Sequence, residues 1–140
     1  MREILFRGKR IDNGEWVEGY YVYDESGQTT EEPTAYILCL NKHPCGWSLL
    51  PYMVDPETVG QYIGLTANGT KIFEGDIFED RSNDAFAIVI FKDGCFRLEW
   101  YGMRGGGWGV LDCDPIDWYC VHEMKIVGNV HDNPEVLKGE

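Results

Sequence analysis

Residues 54–78, VDPETVGQYIGLTANGTKIFEGDIF, decide the fold class. Pro56 fixes its own φ and steers Asp55 away from helix, while Gly60, Gly64, Gly69 and Gly75 leave no gap long enough for a helix of ordinary length. The backbone here is therefore expected to be extended. Between the glycines lie the β-favouring pairs Tyr62-Ile63 and Ile72-Phe73, and Asn68-Gly69 is the dipeptide preferred by a two-residue hairpin turn, because both central positions accept positive φ. The reading is strand, Asn-Gly turn, strand. Glu74-Gly75-Asp76 then breaks the pleat, which restarts at Ile77-Phe78, as suits the tight entry corner of a small barrel.

Outward from this centre the pattern stays β. Residues 3–9 and 15–23 are two β-rich runs joined through Asn13-Gly14, an N-terminal hairpin. In the second run Trp16, Tyr20 and Val22 share one face, and Val17, Gly19, Tyr21 and Tyr23 the other. Apolar groups on both faces predict a strand that is covered twice or sits at an interface. Residues 24–33, DESGQTTEEP, lack periodicity and read as a loop. Strand structure resumes at 36–40, residues 41–47 read as a turn, and 48–54 lead into the centre. AFAIVIF at 85–91 is the clearest buried-strand signal, turned back at Asp93-Gly94 into an alternating run. There Cys95, Arg97 and Glu99 face one way and Phe96, Leu98 and Trp100 the other. Residues 124–130 form the last strand, and Asn133-Pro134-Glu135 opens a short terminal helix.

The chain has 140 residues, the size of a single domain with a substantial core. If it divides, the boundary falls just before Asp55, giving an N-terminal β subdomain 1–54 and a barrel core 55–140. Eight Tyr, six Phe, five Trp and 17 Gly favour strands and turns. The 24 acidic and 12 basic residues give a net charge of −12, which repels a phosphate backbone. Direct nucleic-acid binding is disfavoured, although Arg2, Arg7, Lys9 and Arg10 cluster locally; a charged strand edge accounts for them more simply. No segment has the apolar run of a signal peptide or a bilayer span, and five cysteines without a disulfide-framework pattern fit a reducing cytosol. A cytoplasmic protein with no membrane contact is expected.

The segment 54–78 resembles the signature of the YopX family of prophage and phage proteins, in which D-P-E-T-V-G-x-Y-x-G-L precedes K-I-Y-E-G-D-I. Arg2-Glu3-Ile4, Phe6-Arg7-Gly8-Lys9-Arg10 and Asn13-Gly14-Glu15-Trp16-Val17 are similar to that family's start. Val127-Gly128-Asn129-Val130-His131-Asp132-Asn133-Pro134-Glu135 is similar to its end. Thr66-Ala67 stands where the family usually has a charged run. The resemblance implies a phage or prophage accessory protein, mostly antiparallel all-β, related to SH3-like barrels or a partly open barrel. It brings no catalytic residues and no cofactor.

Candidate chemistry is thin. Cys39, His43 and Cys45, and Cys113, Cys120 and His122, lack the C-x2-C knuckle of structural zinc sites, so no metal is expected. Glu74, Asp76, Asp80 and Asp84, with His122 or His131 as base, lack any hydrolase motif and read as an acidic turn. Gly105-Gly106-Gly107 lacks the G-K-[ST] ending of a phosphate loop. Trp100, Arg104 and Trp108 could present an aromatic and cationic interaction surface, since Trp and Arg are enriched at binding hot spots. The leading expectation is a non-enzymatic protein-interaction module that binds an unidentified host or phage protein, with homo-oligomerisation open. The alternatives are a nucleic-acid-related role, by weak direct contact or acidic mimicry of DNA, and last an enzyme.

Overall fold

The computed structural model describes residues 3–80, 85–102, 110–116 and 122–138. Among these it has eleven strands: β1 (Phe6–Lys9), β2 (Trp16–Asp24), β3 (Thr34–His43), β4 (Gly46–Val54), β5 (Gly60–Ala67), β6 (Thr70–Phe73), β7 (Asp76–Asp80), β8 (Ala85–Lys92), β9 (Cys95–Gly102), β10 (Val110–Pro115) and β11 (Lys125–Asn129). They form two sheets, ordered β4-β3-β2-β1-β5-β6 and β10-β9-β8-β7-β11. Every described strand pairing is antiparallel. The all-β, antiparallel expectation holds. The order of both sheets is open, so the expected barrel is not a closed one.

The chain divides into two compact units, Met1–Tyr62 and Ile63–Glu140, and the division falls inside β5 rather than before Asp55. The DPETVG segment stays with the first unit because its backbone is bonded to β1. Asp55 N–H donates to Lys9 O at 2.9 Å and Tyr62 N–H to Leu5 O at 2.8 Å.

In the first unit an isolated bridge pairs Arg10 with Val54, so the end of β1 meets the end of β4 and the four strands curl around one interior. That interior holds Ala35, Ile37 and Val54, with Phe6, Val17, Tyr21, Cys39 and Val59 packed around them. The order follows from alternation: Ala35 and Ile37 point in, while Tyr36 and Leu38, which alternate with them, point out. Pro56–Thr58 is one 3-10 turn, not extended chain. Asp55 caps it by accepting from Glu57 N–H, and Pro56 sits in its first turn, where a missing N–H costs nothing.

In the second unit Ala67, Ile72, Phe78, Ala87, Val89, Leu98 and Met124 form the core. Each large apolar side chain sealed there contributes about 1.5–3 kcal/mol through burial. β8 is buried from Ala85 to Val89, as its unbroken apolar run predicts, and then surfaces: Phe91 is exposed and packs edge-on against Phe96 at 5.1 Å. Asn68 and Gly69 take φ of 51° and 84°, the two positive values that the Asn-Gly hairpin requires. The terminal segment Pro134–Lys138, where Asn133-Pro134-Glu135 pointed to a short helix, is a 3-10 helix.

Candidate interaction surface

The motif residues form two backbone clasps. In the first unit Thr58 Oγ1 accepts from Lys9 N–H at 2.9 Å and donates to Asp55 O at 2.6 Å, locking the DPETVG turn onto FRGKR. In the second, Gly75 N–H donates to Val89 O and Gly75 O accepts from Val130 N–H, each at 2.9 Å. Gly75 has φ 91°, and a Cβ there would lie 3.5–3.6 Å from Val130 and His131. Asp76 is 4% exposed and its carboxylate accepts from Phe73 N–H at 2.8 Å, closing the Glu74-Gly75 turn. On the other side Asn129 Oδ1 accepts from the N–H of His131 and of Asp132, and Asn133 N–H returns to Asn129 O at 2.8 Å. Asp76 and Asn129 face each other in the β7–β11 register. The signature carboxylates and amides thus satisfy backbone groups, the ordinary work of turns.

The sequence-derived candidates are dispersed. Trp100 is half-buried and packs against the second core, while Arg104 and Trp108 lie outside the described residues. Tyr101 next to it donates its hydroxyl to Glu99 at 2.6 Å; burial, then that bond, hold its pKa up at about 12. Cys39 Sγ donates to Glu18 O, Cys45 is exposed at a hairpin tip, and the His43 ring bonds the Ser48 hydroxyl. Burial holds the Cys39 thiol pKa above its usual value. Among the described residues no three His, Cys, Asp or Glu side chains are grouped to hold a metal ion. Asp84 and Cys120 lie outside them. No helix among them is long and apolar enough to cross a membrane.

The N-terminal cations are engaged close to home. The Arg7 guanidinium lies 4.8 Å from the Trp16 ring centre and Lys9 Nζ 5.7 Å from it. Arg10 stacks 4.5 Å over Tyr52 and grips Asp12 with two bonds of 2.9 and 2.6 Å, which holds the Asp12 carboxyl below its usual pKa. Arg2 lies outside the described residues. In the loop that follows β2, the Asp24 carboxylate accepts from the backbone and hydroxyl of Thr29 and from Ser26, which lowers its pKa to about 2.

What the structure gathers is an apolar face that motif reading missed. Residues opposite one another in an antiparallel pair share a face. Tyr20 pairs Leu38 and Leu38 pairs Pro51; Val22 pairs Tyr36 and Tyr36 pairs Met53. Along β3 and β4 the same face continues through Leu40–Leu49 and Lys42–Trp47. Tyr20, Leu40, Trp47, Leu49 and Met53 on it are 47–62% exposed. At one end a cleft of about 440 Å3 opens, lined by Tyr36, Pro51 and Met53 from this face and by Arg10, Ile11 and Tyr52 beside it. A signal was present in the sequence: residues 33–54 contain no carboxylate, in a chain with 24 of them.

A search of curated proteins finds no match. The family model described as YopX protein matches residues 5–138, nearly the whole chain, and the chain therefore belongs to the YopX family.

Proposed function

We propose that this chain is a non-enzymatic protein-interaction module of phage or prophage origin. It acts in the cytoplasm of a bacterial host and binds a host or phage protein through the outward face of β2, β3 and β4. The observation that carries this reading is the register of exposed apolar side chains across those three strands, from Tyr20 and Val22 to Trp47 and Leu49. Contiguous exposed apolar surface of this extent marks interaction sites on soluble proteins, and the adjoining cleft offers a pocket for one anchoring side chain. Of the signature carboxylates, Asp76 is engaged on Phe73 N–H, where it closes a turn. Direct nucleic-acid contact through the N-terminus is the weaker reading, since Arg7 and Arg10 lie against Trp16 and Tyr52 and Arg10 is also paired with Asp12. A second surface around Trp100, Arg104 and Trp108 stays a subsidiary proposal.

The test is co-purification from a lysogenic host with the tagged wild-type chain and with Leu40→Glu, whose carboxylate would stand in the middle of the face. The expected result is a defined protein recovered with the wild type and reduced about tenfold or more with the variant, at unchanged melting temperature. Equal recovery with both would refute the assignment of this face.

A further inference from the structure

The binding reading places a host or phage protein on the face of β2, β3 and β4, and the geometry of the distal half of that face points to a second occupant there. β2 pairs β3 only as far as Tyr20–Leu38; below Gly19, β2 pairs β1 instead. Beyond Leu38 and Pro51, β3 and β4 therefore pair with each other alone, from Cys39–Leu50 to His43–Gly46. This two-stranded arm carries Leu40, Trp47 and Leu49 exposed on one face and Leu50 on the other. Lys42 lies 5.8 Å from the Trp47 ring centre. A two-stranded ribbon with bare apolar side chains is marginal in water by itself and gains stability when the face is covered.

Charge says what can cover it. A basic partner would be met by carboxylates, and residues 33–54 have none; an acidic partner or a nucleic acid would be met by a cationic patch, and they have one Lys and one His. The complement is a neutral, flat, apolar surface. A second copy of the same arm is such a surface, and in a chain of net charge −12 these two strands bring no carboxylate of their own to oppose the other copy's.

The mode of contact follows from the backbone. Met53 O accepts from Ile11 N–H, so the odd-numbered residues of β4 turn their polar groups away from β3. Pro51 shares that phase and has no N–H to offer at the open edge, which interrupts any strand-to-strand extension. We infer, on the strength of the binding reading above, that two copies of this chain associate face to face through their β3–β4 arms, each presenting Leu40, Trp47 and Leu49 to the other across a two-fold axis.

The experiment is sedimentation of the full chain over a concentration series, for wild type, Leu49→Glu, Leu49→Lys and an equimolar mixture of the two variants. Leu40→Glu serves as an independent variant, and thermal melting checks that each is folded. The expected result is a wild-type dimer, monomeric single variants with at least about tenfold weaker association, and dimer restored in the mixture. Restoration requires position 49 of one copy to lie near position 49 of the other, which a merely destabilised arm would not reproduce. A wild type that stays monomeric throughout, or folded variants that dimerise like the wild type, overturns the inference. If the wild type is monomeric yet Leu40→Glu still abolishes recovery of a foreign protein, this inference fails and the binding reading stands.

Discussion

Replacing Gly19 with alanine should destabilise the first unit by about 3 kcal/mol, the upper end of what overpacking costs. Gly19 is where β2 leaves β1 and joins β3, since it pairs Phe6 while its neighbour Tyr20 pairs Leu38. An added Cβ would lie 2.2 Å from Leu38 O, 2.9 Å from Leu38 C and 3.2 Å from Ile37 Cγ2. The first two are backbone atoms and cannot rotate aside, so β3 itself must shift. Urea unfolding should show a lower midpoint with an unchanged slope, which marks lost stability rather than a changed denatured state. Because β3 carries the middle of the apolar face, association should weaken in the same variant. A loss below about 0.5 kcal/mol, the ordinary range for surface substitutions, would mean that the two strands are not in this close approach.

Asp76→Ala is the second large effect expected, at about 2–3 kcal/mol. The carboxylate is buried and accepts from Phe73 N–H, and its removal leaves that donor without this acceptor in a site closed to water. Asp76→Asn keeps an oxygen in place and should recover about half of the loss or more. If Asp76 were instead a catalytic acid, the two variants would be equally inactive whatever their stability. Here the folded fraction of either variant should bind its partner as the wild type does, measured at a temperature below the melting of both.

The turns were legible because their chemistry is local. Asn68-Gly69 and Asp93-Gly94 each place two residues at positive φ, a demand few other dipeptides meet. Asn13-Gly14 marks a longer four-residue connection: Arg10 N–H reaches Glu15 O, and Asn13 Oδ1 accepts from Glu15 N–H. The core strand at 85–89 was legible from its unbroken apolar run. The β3–β4 arm was not. Asn41, Pro44 and Gly46 read as one loop over 41–47, although the strands run on to His43 and resume at Gly46 around a two-residue turn. β10 gave no signal, since Asp112, Asp114 and Pro115 disfavour strands; its pairing with β9 holds it extended.

The interaction surface was half legible for a related reason. Apolar groups on both faces of residues 16–23 pointed to an interface, and the structure leaves Tyr20 and Val22 exposed on one of them. Their neighbours Leu40, Trp47 and Leu49 come from a segment more than 15 residues away in the chain. Only strand register brings the three strands into one face. The signature motifs drew attention to themselves and turned out to close turns, as Thr58 does on Lys9 N–H. Positions that fix a backbone and positions that meet a partner are separate in this chain, and sequence patterns report the first kind more readily.

The most direct test of that separation is site-specific photo-cross-linking in the host cell, with a reactive residue placed at Trp47 on the arm or, as control, at Asp93 in the β8–β9 turn. A discrete cross-linked product from position 47, whether with a second copy or another protein, and none from position 93 is what the account predicts. No product from position 47, or the same products from both positions, would contradict it.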